Sequence, residues 1–146
     1  MITKQITENG LNLIKKYESF YADPYRCPAG FLTIGYGHMI RKNELFNSPI
    51  SMDKALELLK KDVEISEKAV MHQISYLLND NEFDALVSFT FNLGSAQLQR
   101  STLRMKVNRG DILGASKEFL KYVFAGGRKL HGLILRRHEE SNLFLS

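Results

Sequence analysis

A single cysteine stands among 146 residues, so no disulfide can form within the chain. The fold cannot depend on an oxidising compartment. Long apolar runs are also missing. The N-terminal stretch MITKQITENGLNLIKKYESF has no uninterrupted apolar core, and Lys15 and Lys16 interrupt it further. No signal peptide, signal anchor or transmembrane helix is expected, and the chain is expected to be made and folded in the cytoplasm. The histidines His38, His72, His131 and His138 do not fall at metal-ligand spacings, and His131 and His138 have no matching cysteine. Neither a metal site nor a cofactor is expected. Ten glycines occur without a Walker-type or dinucleotide-type arrangement. Internal repeats, low-complexity tracts and long linkers are absent from the sequence, which argues against independent domains.

What is present fits one globular domain, with room for two lobes: 44% of the residues are hydrophobic. The formal net charge is +4, and it is uneven. From Arg100 to Arg137 there are ten Lys or Arg against two acids, Asp111 and Glu118. A basic surface favours polyanions, among them nucleic acid, anionic membranes and the bacterial cell wall. No aromatic-rich nucleic-acid motif accompanies the charge, so nucleic acid is not the expected partner.

The informative stretch runs from Glu18 to His38, ESFYADPYRCPAGFLTIGYGH. Leu11, Ile14 and Glu18 recur at helical spacing, and Leu13 and Tyr17 widen the same apolar stripe. Glu18 thus projects from a face expected to be buried, near a helix end. Burial disfavours the charged carboxylate and raises its pKa, which suits a general acid. A surface Glu that merely ends a helix would show the same periodicity. Pro24, Pro28, Gly30, Gly35 and Gly37 follow, with Leu32, Thr33, Ile34 and Tyr36 between glycines. This pattern predicts a hairpin or three-stranded sheet that carries Cys27 and Thr33 back toward Glu18. His38 is expected to brace that sheet. Asp23, before Pro24, is expected in a turn, with a second catalytic carboxylate as its lesser reading.

Glu18, eight residues, Cys27, five residues, Thr33 and the close TIGYGH together resemble the active-site signature of phage-type lysozymes, the endolysins of glycoside hydrolase family 24. That family's triad is Glu, then Asp or Cys, then Thr. The resemblance implies Glu18, Cys27 and Thr33 as catalytic residues. It implies Asn92, in FNLG, facing the cleft. It further implies Arg136 or Arg137 reaching the catalytic Glu or a substrate hydroxyl, where a cation would oppose the desolvation of Glu18. Cleaving a glycosidic bond requires a proton on the leaving oxygen and negative charge or a nucleophile near the sugar. Glu18 would give the proton, and the family pattern assigns the attacking water to Thr33. Cys27 is left as base, electrostatic partner or packing residue, because an ordinary thiol is mostly protonated at neutral pH.

Elsewhere the pattern is helical. Thr7 is a plausible N-cap for the first helix. Ser51 and Asp53 open a long helix through Ala55, Leu56, Leu59 and Val63 that extends toward Val70. Asn79 and Glu82 form a capping box before Phe83, Leu86, Val87, Thr90 and Phe91, and Gly94 stops that helix. Ser101 caps a short helix ending near Gly110. Asp111 caps another, expected to run through Phe119, Leu120 and Val123 to Gly126–Gly127. A Gly-Gly-Arg turn and a closing helix with paired arginines end the chain.

The expected fold is α+β, mainly helical and lysozyme-like. A small sheet-bearing lobe is placed at about 15–50, a linking helix at about 51–70 and a helical lobe at about 71–146 with the N-terminal helix packed on it. The expected function is hydrolysis of the β-1,4 bond between N-acetylmuramic acid and N-acetylglucosamine in peptidoglycan, for cell lysis and phage release. A lytic transglycosylase, a non-catalytic glycan-binding protein of the same fold and a basic nucleic-acid binder are the alternatives. The resemblance further implies a monomer that waits in the host cytoplasm until a separate holin opens the membrane, then acts in the periplasm.

Overall fold

The structure, a computed structural model, describes residues 4–146. It is mainly helical, with two small antiparallel sheets. Two compact units divide the chain: Lys15–Glu64, and the chain up to Ile14 together with Ile65–Ser146. Helices α1 (Glu8–Glu18) and α2 (Met52–Gln73) each begin in one unit and continue in the other.

The unit Lys15–Glu64 holds the sheet. Helix α1 stops at Glu18 because Ser19 turns into the left-handed region at φ 61°, its N–H still bonded to Lys15 O at 3.0 Å. Strands β1 (Tyr21–Arg26), β2 (Leu32–Gly35) and β3 (His38–Met39) then pair in sequence order. Tyr21 faces Gly35 and Tyr25 faces Thr33, so β1 carries two extra residues between those pairs. Asp23 and Pro24 lie in that irregularity, where a residue without an N–H costs no ladder bond. Asp23 is therefore in a strand rather than the expected turn, and its carboxylate accepts the Ser48 hydroxyl. Ile34 and Tyr36 are buried in this unit, as are Ile50, Ala55, Leu59 and Val63. Ser51 caps α2, its hydroxyl oxygen accepting Lys54 N–H at 3.0 Å.

His38 ties three segments of this unit together. Its Nδ1 lies 2.7 Å from Asp62 on α2, and its Nε2 lies 3.0 Å from Glu44 in the connector. Burial pushes the Glu44 carboxyl up, but the Arg41 N–H, the His38 ring and the Arg41 charge hold it below the ordinary carboxylate range. The bracing role expected for His38 is what its contacts describe.

The other unit is helical. Helix α3 (Asp80–Leu93) opens on the complete Asn79–Glu82 capping box and ends at Gly94, φ 94°. It is followed by α4 (Ser95–Gln99), α5 (Thr102–Asn108), α6 (Ile112–Phe119) and α7 (His131–Leu145). Helix α4 was not legible in SAQLQ. Helix α6 stops at Phe119, short of the expected Gly126–Gly127. The chain instead forms a hairpin of β4 (Phe124–Ala125) and β5 (Arg128–Lys129), with both glycines at positive φ in the turn. Phe89 meets Phe119 and Tyr122 edge to face, at 5.5 and 5.0 Å, and Phe119 meets Phe144 at 5.4 Å. This aromatic cluster is the core that α3, α6 and α7 share.

The start of α1 belongs to this unit too. Thr7 precedes the helix as expected, yet its hydroxyl does not fold back onto the helix. Both its N–H and its hydroxyl donate to Asp84 on α3. Gly10 lets the two segments close: a Cβ there would lie 2.7 Å from the Asp84 carboxyl carbon.

Candidate active site

The sequence-predicted triad lies wholly within Lys15–Glu64. Glu18 is the last residue of α1 and is half-buried. Its Oε1 sits against the turn after β2, where a Cβ on Gly37 would come within 2.8 Å of it. Gly37 also has φ 81°, a backbone conformation that favours glycine, and a side chain there would displace the Glu18 carboxylate. The Gly-x-Gly close therefore gives the carboxylate a surface to rest on.

Cys27 and Thr33 approach from the two sides of the β1–β2 hairpin. Thr33 is buried at 3% exposure, and its hydroxyl donates to Phe31 O at 3.0 Å. The loop Pro28–Phe31 closes on the backbone of the half-buried Cys27, whose N–H donates to Phe31 O at 3.0 Å and whose carbonyl accepts Gly30 N–H at 2.8 Å. The Phe31 backbone N–H lowers the Cys27 thiol pKa most. Burial opposes this, and the Ala29 N–H, the Thr33 hydroxyl and the Gly30 N–H add to the lowering. Backbone donors converging on one atom favour its anion.

Tyr25 links the two parts. Burial pushes its phenol up, and the charges of Tyr21, Glu18 and Cys27 push it further. One hydroxyl thus lies within electrostatic range of both Glu18 and Cys27. Tyr21 and Tyr25 stack with ring centres 4.1 Å apart. Glu18 rests by the turn after β2, Cys27 and Thr33 lie at the β1–β2 hairpin, and Tyr25 is within electrostatic range of both Glu18 and Cys27. Tyr25 was not singled out in the sequence; its position opposite Thr33 depends on the irregular β1–β2 register.

Asn92, Arg136 and Arg137 lie in the helical unit. Asn92 is half-buried in the last turn of α3. Arg136 and Arg137 are buried, at 3% and 0% exposure. Arg136 donates to Glu140 at 3.2 Å and to Ser88 O at 3.2 Å. Arg137 donates to Tyr122 O at 2.9 Å, to Glu140 and to Asn92 Oδ1. The sequence reading expected one of these guanidiniums to reach the catalytic Glu or a substrate hydroxyl; within the helical unit both are buried and bonded to Glu140. Helix α7 turns both side chains inward onto the Glu140 carboxylate. The Arg-Arg-x-x-Glu spacing at 136–140 signalled that cluster, because i, i+3 and i, i+4 share a face. Ser88, 52 positions away, gave no such signal. Among the described residues no cluster of His, Cys, Asp or Glu could hold a metal ion.

The chain thus has a carboxylate at a helix end against the turn of a small sheet, and a separate helical unit. Residues 15–140 match the family model described as Phage lysozyme, and the chain belongs to that family. It is 40% identical over 145 residues to an endolysin of Acyrthosiphon pisum secondary endosymbiont phage 1, covering 97% of this chain and 98% of that one. It is 34% identical to the endolysin of Salmonella phage P22, covering 97% and 99%. A mutant of P22 lysozyme superposes with a TM-score of 0.88 at 33% identity, over 98% of this chain and 99% of that one. The muramidase domain of SpmX from Asticaccaulis excentricus also reaches 0.88, at 32% identity, over 97% and 98%. The chain is a peptidoglycan-hydrolysing endolysin and a glycoside hydrolase.

Proposed function

We propose that Glu18, Cys27 and Thr33 cut the β-1,4 bond between N-acetylmuramic acid and N-acetylglucosamine by direct attack of water. The observation that carries this reading is the placement of the Glu18 carboxylate against the Gly37 turn, with Cys27 and Thr33 on the adjoining β1–β2 hairpin of the same unit. Glu18 gives its proton to the leaving oxygen as the C1–O bond breaks. Water attacks C1 from the opposite face and passes its proton to the Cys27 thiolate. Thr33 holds that water through its hydroxyl oxygen, whose own proton is directed to Phe31 O. The thiolate also places negative charge near the oxocarbenium-like sugar. Tyr25, kept neutral by its neighbours, supplies a donor near Glu18 and Cys27.

Asn92 binds the glycan, and Arg136 and Arg137 act behind it rather than on the substrate. The enzyme works as a monomer. It reaches the wall from the host cytoplasm once a separate holin has permeabilised the membrane.

Products decide the chemistry. Mass spectrometry of muropeptides released from purified peptidoglycan is expected to show reducing muramic acid ends, with the inverted anomer first by NMR. Ends carrying a 1,6-anhydro bridge would mean attack by the sugar's own 6-hydroxyl, and the water-attack reading would fail.

A further inference from the structure

The paired arginines form a polar cluster that runs from the interior of the helical unit to its surface. Glu140, fully buried, is its centre. Its Oε2 accepts the Ser88 hydroxyl at 2.6 Å and Arg136 Nε at 3.2 Å, and its Oε1 accepts Arg137 Nη1. The Phe89 ring lies under the Arg137 guanidinium, 5.3 Å from ring centre to Cζ. Both guanidiniums bond this one buried carboxylate, and the desolvation cost of buried ion pairs is often not recovered as stability. Ser88 and Asn92 are one turn apart on α3, so they share a face: Ser88 is buried and Asn92 half-buried. A further donor of the cluster, Arg137 Nη2, goes to Asn92 Oδ1.

That bond fixes which way the Asn92 amide points. A guanidinium only donates, so the amide must turn its oxygen inward and its NH2 outward. We propose that Arg137 is a positioning residue that locks the Asn92 amide with its N–H donors outward, where they take an amide carbonyl oxygen of the substrate. This rests on the reading that Asn92 faces the glycan. Amide carbonyls occur both in the acetamido groups of the sugars and in the stem peptides of peptidoglycan. The lock supplies selectivity for an acceptor, because an unheld amide can present either end.

The test is a double-mutant cycle on soluble peptidoglycan fragments, using Asn92→Ala, Arg137→Met and the pair, with the melting temperature of each. Asn92→Ala is expected to raise KM by roughly threefold to tenfold, the worth of one hydrogen bond, with kcat nearly unchanged. Arg137→Met is expected to raise KM similarly alone and not further in the Asn92→Ala background, while its melting temperature falls in both. If Arg137→Met does not fold, Asn92→Asp carries the test. It keeps the Arg137 contact, removes the outward donor, and is expected to raise KM without lowering the melting temperature. An unchanged KM in Asn92→Ala overturns the glycan-facing reading itself. A raised KM there, with an equal further rise from Arg137→Met or no rise in Asn92→Asp, overturns the positioning role alone. Binding to the Glu18→Gln protein with and without Asn92→Ala separates the sources. Loss for chitooligosaccharide assigns the acetamido carbonyl, loss only for stem-bearing fragments assigns the peptide, and no loss for either contradicts the proposal.

Discussion

Cys27 is the residue where the chemistry departs most from a pair of carboxylates. A thiol in water is mostly protonated at neutral pH. Here the Phe31 N–H leads a set of donors that pulls its pKa below the ordinary thiol value. Alkylation by iodoacetamide is therefore expected to follow a titration lying below that of a free cysteine, and an ordinary thiol titration would contradict it. Cys27→Asp, which restores a carboxylate, is expected to stay active, and Cys27→Ser to lose at least about tenfold in kcat as its base disappears. Unimpaired Cys27→Ser would reduce Cys27 to packing. Gly37 is the second residue with a defined duty. Its missing Cβ makes room for Glu18 Oε1, which a methyl group would meet at 2.8 Å. Gly37→Ala is expected to lower kcat by about a hundredfold, since a displacement of about 1 Å can cost that much. Activity within twofold of wild type would mean that the carboxylate does not depend on that turn.

Helices carry the next set of consequences. The N-terminus of α1 is held by a carboxylate from α3, because Asp84 accepts the Thr7 N–H and hydroxyl. Burial pushes the Asp84 carboxyl up, against those hydrogen bonds and the Gly10 N–H, with the Asp80 charge adding to the rise. The folded state then holds the Asp84 proton more tightly than the unfolded chain does. This contribution to stability is present below the unfolded pKa and is lost as pH rises through the higher folded one. Glu44 and Glu118, both lowered, act in the opposite direction, so the wild-type curve is a sum. Subtracting Asp84→Asn from wild type in melting-temperature scans from about pH 4 to 7 isolates the Asp84 part. The difference is expected to move against wild type as pH rises, and a flat difference would show that Asp84 does not titrate differently on folding.

These elements also show what a sequence can reveal. Capping residues were legible wherever the cap is local: Asn79 with Glu82, Ser101 with Arg104 and Asp111 with Gly114 all close within three residues. Thr7 looked like one more such cap, but its donors go to Asp84, 77 positions away. Helix α6 was read too long because Leu120 and Val123 continue its apolar spacing. The pair Gly126–Gly127 and the strand pairing of Phe124 with Lys129 ended it sooner. Glu18, Cys27 and Thr33 were legible as a spaced motif, whereas Tyr25 and Ser88 reach their neighbours only through tertiary register.

For the whole molecule, net charge misleads unless burial is known. Ten cations between Arg100 and Arg137 suggested a broad basic face. Arg136 and Arg137 are interior, and Lys106 and Lys121 both close on Glu118 at 2.8 Å. The surface is therefore less basic than the count implies. Each unit has its own part in this account. In the proposed reaction the sheet-bearing one supplies Glu18, Cys27 and Thr33, and the helical one holds Asn92 on its buried arginine cluster.

Glu18 is the one group for which the proposed chemistry has no substitute. Glu18→Gln keeps the volume and removes the proton donor. The decisive measurement is the rate at which this variant, with its melting temperature unchanged, clears chloroform-treated Gram-negative cells. A rate about a hundredfold or more below wild type is the predicted result, and clearing at more than a few percent of the wild-type rate would contradict the account.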